Sequence, residues 1–124
     1  FVAVAAFKQP PTEVDPTTGQ DKISSSNLTR DVLNKIKSIL EIAIRNGHDS
    51  VVLGAFGCGA YGNPPYHIAK LFKSALNYYG DSFKYVAFAI LEDHNSFKSH
   101  NRTGNVKPFA EMLKTPQREY EEWN

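Results

Sequence analysis

Four glycines, at positions 54, 57, 59 and 62, crowd one short segment of the 124-residue chain, with Cys58 and Tyr61 set between them. Glycine supplies positive φ for tight turns, and it lets backbone N–H groups approach an anion with no side chain in the way. The chemistry this spacing serves is the holding of a phosphate or diphosphate. A Walker-type loop needs Lys followed by Ser/Thr after its last glycine, whereas Gly59 is followed by Ala60-Tyr61 and Gly62 by Asn63-Pro64. A thiol phosphatase needs an arginine a few residues after its cysteine, and the first one after Cys58 is Arg102. Gly57-Cys58-Gly59-Ala60-Tyr61-Gly62 does match the dinucleotide pattern G-x-G-x-x-G, with Glu92 or Asp93 as the acid. That acid lies about thirty rather than about twenty residues beyond the loop. Cys58 reads as a small residue whose backbone matters, since no base is arranged beside it. Phe56, at the head of the candidate ligand-binding groove, reads as core or loop wall rather than a stacking platform. His48, His67, His94 and His100 lack metal-ligand spacing and receive no role.

The loop needs a strand before it and a helix after it. Ser50 to Ala55 supplies the strand, and residues 65 to 79, with Ile68, Leu71, Phe72, Ala75 and Leu76 on one side, predict the helix. Its proline start is tolerated because the missing donor would be unpaired there. Upstream, Leu28, Val32, Leu33, Ile36, Ile39, Leu40, Ala43 and Ile44 form a helical stripe, capped by Asn27 or Thr29 and ended by Asn46-Gly47. Tyr85 to Leu91 predicts another buried strand, Glu92 to Asn105 a polar loop, and residues 108 to 113 a short helix. The apolar run Phe1 to Phe7 predicts an interior strand buried on both faces, and residues 8 to about 27, rich in Pro, Ser, Thr and Asp, predict turns in either a functional flap or a disordered stretch. Strand and helix alternate, which implies α/β architecture with a mainly parallel sheet. Three strands are too few to close such a sheet, and the start on Phe1 inside an apolar run predicts a chain incomplete at its N-terminus. The expected organisation is one domain part over residues 1–115 and a charged tail over 116–124, carrying Trp123.

Composition narrows the function classes. The 14 Lys and Arg balance 13 Asp and Glu, and a net charge of +1 offers no reason to expect sequence-specific nucleic-acid or membrane-surface binding. One cysteine excludes an intrachain disulfide and a cysteine-based zinc site. No resident cofactor is indicated, and no signal peptide or membrane-spanning run is evident, so an intracellular location, cytoplasmic or nuclear, is expected.

The run from Val51 through Gly54-Ala55-Phe56-Gly57-Cys58-Gly59-Ala60-Tyr61-Gly62 to Pro65, with Ile68-Ala69, Phe72 and the stretch Phe83 to Ile90, resembles the C-terminal half of microbial-type poly(ADP-ribose) glycohydrolases, which are macro domains. The resemblance extends more loosely from about Phe1 to Leu113. It implies a macro-domain-like three-layer α/β/α fold that binds ADP-ribose or ADP-ribosylated protein. By the family pattern Gly57, Cys58, Gly59, Ala60 and Gly62 line the diphosphate through their backbones, and Tyr61 packs beside the terminal ribose. Asn95 and Phe97 are the candidates for the adenosine side. The family's catalytic acid is a glutamate in a Gly-Gly-Gly … Gln-Glu-Glu segment preceding this half, and no such segment occurs in this sequence. Glu121-Glu122, with no glycine loop before them, do not replace it. The resemblance therefore implies a binding half whose hydrolytic activity needs the missing N-terminal half as partner. The other expectations left open are a non-catalytic ADP-ribose reader and a Rossmann-like NAD-dependent oxidoreductase.

Overall fold

The structure, a computed structural model, describes residues 2–114. The element order is β1 (Thr12–Val14), β2 (Asp21–Ile23), α1 (Ser26–Arg45), β3 (Ser50–Leu53), α2 (Pro65–Tyr79), a 3₁₀ turn (Gly80–Ser82), β4 (Tyr85–Phe88) and α3 (Val106–Leu113). The charged tail, with Glu121, Glu122 and Trp123, lies outside the described residues.

Helix α1 buries Val32, Ile36, Leu40 and Ala43, one stripe at helical spacing. Its cap is Ser25, whose Oγ accepts from the Leu28 N–H at 3.1 Å, so neither Asn27 nor Thr29 takes that place. The helix begins earlier than its apolar stripe because a cap needs only a side-chain oxygen three residues before a free donor. The α2 helix packs Ile68, Ala69, Leu71, Phe72 and Ala75 into the same core. Strands β3 and β4 run parallel, with Ser50 opposite Tyr85 and Leu53 opposite Phe88. Phe72 of α2, Phe88 of β4 and Phe109 of α3 meet with ring centroids 5.3 to 5.9 Å apart and tie the sheet to both helices.

The architecture is α/β with a parallel sheet, as the alternation of elements predicts, and four local expectations are corrected. First, residues 2–7 make no strand pairing. Lys35 Nζ donates to the Ala5 carbonyl at 2.8 Å and sits 4.0 Å above the Phe7 ring, while a cavity of about 700 Å³, lined by Val2, Val4 and the stretch Ser50 to Phe56, separates this segment from β3. A strand without a neighbour in hydrogen-bonding range cannot join a ladder. Second, β3 and β4 are covered on one face: Val51, Leu53, Val86 and Phe88 meet the core, whereas Val52 and Tyr85 are each 74% exposed. Third, β4 ends at Phe88, and Leu91 is exposed. Fourth, the flap contains an antiparallel hairpin, with Thr12 opposite Ile23 and Val14 opposite Asp21. Its turn is closed by Asp15, whose carbonyl accepts from Gly19 and whose N–H donates to the Gln20 carbonyl, both at 2.8 Å. Three-residue strands of mostly polar residues leave no periodic signal to read.

Candidate functional site

The glycine loop leaves β3, turns at Gly57 with φ +73° and again at Gly62 with φ +69°, and delivers Pro64-Pro65 into α2. At Gly57 the turn is also crowded: a Cβ there would stand 2.5 Å from Asn63 Nδ2 and 2.6 Å from the Ala6 Cβ. Gly59 differs, since its Cβ would meet only the Asn95 Cβ at 3.8 Å, an ordinary contact. The two glycines thus serve different ends, close packing at Gly57 and open backbone at Gly59.

Three braces hold the loop. Asn63, almost fully buried, donates through Nδ2 to the Phe7 carbonyl at 2.8 Å and to the Gly57 carbonyl at 3.0 Å. Gln9, itself at φ +47°, donates its N–H to the Tyr61 carbonyl. From the other side, His100 Nε2 donates to the Cys58 carbonyl at 2.7 Å, and Asn101 Nδ2 reaches the same oxygen at 3.2 Å. Asn101 is the hub of the loop after β4. It also donates to the Asn95 carbonyl and to Asn105 Oδ1, each at 2.9 Å, and its Oδ1 accepts from the Lys98 N–H at 2.7 Å.

These braces have a common electrostatic result. The carbonyls of Gly57, Cys58, Gly59 and Tyr61 all accept hydrogen bonds, whereas the N–H groups of Gly59, Ala60 and Tyr61 donate none among the described residues. A loop whose acceptors are consumed and whose donors are free presents positive potential. It opens on a cavity of about 350 Å³ lined by Gly59, Ala60, Gly62 and Asn95, by Gln9, Pro10 and Thr12 of the flap, and by Lys98, Ser99 and His100. No carboxylate among the described residues lines that cavity.

Of the residues singled out in the sequence, Gly59, Ala60, Gly62 and Asn95 come together here. Gly57 and Cys58 lie behind the cavity as support, and Tyr61 is partly exposed beside it. Phe56 lines the apolar cavity next to β3 instead. Phe97 is 64% exposed with φ +59°, outside the glycine-loop cavity, its ring beside Gly104. Burial pushes the Cys58 thiol far above its ordinary pKa, which removes the thiolate a nucleophile needs. Of the two acids offered for the dinucleotide pattern, Glu92 caps α3, its Oε1 accepting from the N–H groups of Asn105 at 2.5 Å and Val106 at 3.1 Å, and Asp93 Oδ1 accepts from the Asn95 N–H at 2.8 Å. That local use of both carboxylates disfavours the oxidoreductase reading.

Sequence reasoning gave no part to His100, Asn63 or Asn101, and it left His67 without a role. His67 Nδ1 accepts from the Ile23 N–H at 2.9 Å and pins the hairpin to α2. No short motif marks these four residues, because each acts on a backbone group far away along the chain. The polar asparagine-rich stretch after β4 was the only signal for His100 and Asn101, and Asn63 and His67 had none. Among the described residues no cluster of His, Cys, Asp or Glu suits a metal ion, and no helix is long and apolar enough to cross a membrane.

No family model matches the chain, and no curated protein does. Among solved structures it is similar to the poly(ADP-ribose) glycohydrolase of Deinococcus radiodurans in complex with ADP-ribose, with 26% identity over 71% of this chain and 34% of that chain and a TM-score of 0.60. The enzyme of Thermomonospora curvata bound to the inhibitor ADP-HPD gives 28% identity over 71% of this chain and 32% of that one, with a TM-score of 0.57. The Deinococcus enzyme in apo form gives 27% identity over 73% and 37%, at a TM-score of 0.54. The chain spans about a third of the length of the structures it matches.

Proposed function

We propose that this chain, poly(ADP-ribose) glycohydrolase-like in its fold, binds ADP-ribose with the diphosphate against the glycine loop. The observation that carries this reading is the loop's hydrogen-bond asymmetry: the carbonyls of Gly57, Cys58, Gly59 and Tyr61 are spent, and the N–H groups of Gly59, Ala60 and Tyr61 are unspent. Anions bind where preorganised backbone donors converge without a competing acceptor. The ADP-ribose and ADP-HPD held by the similar structures support the ligand class. In this reading Gly57 and Cys58 shape the loop from behind, Gly59, Ala60 and Gly62 face the diphosphate, and Tyr61 flanks the terminal ribose. Asn95 stands on the adenosine side, with Phe97 farther out along the same loop.

Cleavage of a ribosyl bond needs a carboxylic acid against the leaving oxygen to protonate it as the oxocarbenium-like state develops. Among the described residues no carboxylate lines the glycine-loop cavity, and we assign the acid to the N-terminal half of the same kind of domain. With that half present the assembly is an ADP-ribosyl hydrolase. The chain alone is a binder, which is the form in which the non-catalytic reader remains the second reading.

Calorimetry with ADP-ribose, NAD and AMP tests the assignment. ADP-ribose is expected to bind tightest, and Gly59→Val to abolish binding while leaving the fold intact, because a side chain at Gly59 meets little protein. Tight NAD binding without ADP-ribose affinity contradicts the proposal. Hydrolysis of ADP-ribosylated protein by the chain alone contradicts the placement of the acid.

A further inference from the structure

His67, half-buried on α2, does not line the glycine-loop cavity, yet one hydrogen bond connects it to that cavity's outer wall. Its Nδ1 accepts from the Ile23 N–H at 2.9 Å. An imidazole nitrogen accepts only while it carries no proton, so this contact belongs to the neutral ring. Ile23 stands opposite Thr12 in the hairpin register, and Thr12 lines the glycine-loop cavity together with Gln9 and Pro10. Two further ties carry the connection onward: the Ser24 N–H donates to the Pro11 carbonyl at 3.0 Å, and the Gln9 N–H donates to the Tyr61 carbonyl of the glycine loop.

The charged and titratable groups around His67 come from two elements. A cavity of about 380 Å³ beside it is lined by Glu13, Asp15, Asp21 and Lys22 of the hairpin and by Tyr66 and Lys70 of α2, whereas α1 and α3 bring no charged side chain to it among the described residues. Lys70 and Lys22 repel a charge added to the ring, and Asp15 attracts it. Burial opposes that charge more strongly than either lysine, and the three together hold His67 below its ordinary value.

Resting on the ADP-ribose reading above, we propose that the hairpin is a proton-coupled flap: neutral His67 seats it as a wall of the diphosphate cavity, and protonation of His67 loosens it. The step takes one proton from solvent onto Nδ1, breaks the N–H···N bond and turns the Ile23 N–H to water. Ile23 keeps its side chain in the core, only 3% exposed, so the hairpin shifts about that anchor and does not detach. A diphosphate ligand that touches the wall of Gln9, Pro10 and Thr12 binds the seated form better. Because the coupling is reciprocal, the bound ligand in turn weakens the hold of His67 on its proton.

Calorimetric titration of ADP-ribose into the wild-type chain and His67→Asn, at about pH 7.5 and about pH 5, tests this, with the hydrogen-exchange protection of the Ile23 amide as the readout of the flap. Asn offers an Oδ1 acceptor near the place of Nδ1 and does not titrate. One neutral hydrogen bond corresponds to about five-fold in an equilibrium. Between the two pH values the wild-type chain is expected to lose about five-fold more affinity than His67→Asn, and its Ile23 protection is expected to fall while that of the variant holds. His100 lines the diphosphate cavity itself, and a proton there strengthens anion binding; it is present in both proteins, so the comparison cancels it. A second readout needs only the wild-type chain: by NMR titration of the His67 ring, its proton affinity is expected to fall about five-fold on saturation with ADP-ribose. The same pH dependence of affinity in both proteins, undiminished Ile23 protection at about pH 5, or a His67 titration unmoved by ligand overturns the proposal while leaving ADP-ribose binding standing. Failure of the wild-type chain to bind ADP-ribose at either pH removes the underlying reading, and the coupling with it.

Discussion

Replacing Asn101 by Asp exchanges a buried donor for an acceptor where the glycine loop and the loop after β4 meet. In the native protein the Nδ2 group faces three oxygens, those of Cys58, Asn95 and Asn105, at 3.2, 2.9 and 2.9 Å. Its two hydrogens are shared among them, and Asn101 is only 2% exposed. A hydrogen bond contributes a net of about 1 kcal/mol, and a buried acceptor left without its donor costs about 1–3 kcal/mol. The substitution removes both hydrogens and sets a carboxylate oxygen against the three acceptors, so a loss of about 3–5 kcal/mol at pH 7 is expected. Against a total stability of about 5–15 kcal/mol that is a large fraction, and the melting temperature should fall by roughly 10 °C or more. The sign with pH is diagnostic. Burial and neighbouring oxygens raise the introduced carboxyl above about 3.9, so the deficit is full at neutral pH and shrinks as pH falls through the raised value, because the protonated acid regains one donor. Urea denaturation of Asn101→Asp and wild type at neutral and mildly acidic pH measures both. A loss below about 0.5 kcal/mol at neutral pH, within the range of ordinary surface changes, would refute the reasoning.

Two further outcomes follow from the same geometry. Gly57→Ala meets Asn63 Nδ2 and the Ala6 Cβ inside van der Waals contact at positive φ, so its unfolding midpoint should show a loss of about 1–3 kcal/mol, in contrast to an undamaged Gly59→Val. His67 is held below its ordinary value of 6.5 by burial and then by Lys70 and Lys22. The unfolded chain therefore takes up the proton first, and stability should fall as pH drops through about 6.5 and level off only below the depressed value. Protonation also destroys the acceptor for the Ile23 N–H, so the hairpin should loosen with it. His67→Gln should flatten this dependence between pH 5 and 8, and an unchanged pH profile would count against the assignment.

The helices and the glycine loop were legible in the sequence for local reasons. The stripe Val32, Ile36, Leu40 and Ala43 repeats at the period of one helix face, and Pro65 and Gly57 carry backbone preferences that hold in any context. The flap hairpin was not, because strands of three residues owe their existence to the Ile23–His67 hydrogen bond and the Asp15 turn rather than to apolar alternation. The run Phe1 to Phe7 illustrates the opposite error. An apolar segment can state that it wants burial, but pairing requires a neighbouring backbone, and the space beside β3 holds a cavity.

The site divides the same way. Glycine spacing alone determined that a tight loop with an approachable backbone lies between a strand and a helix, because φ and the absence of a side chain are properties of single residues. Only the tertiary structure decided which face of the loop is positive. It brought His100, Asn101 and the Gln9 N–H from distant parts of the chain and folded Asn63 back on Gly57 to consume the carbonyls, and among the described residues it left the N–H groups of Gly59, Ala60 and Tyr61 free.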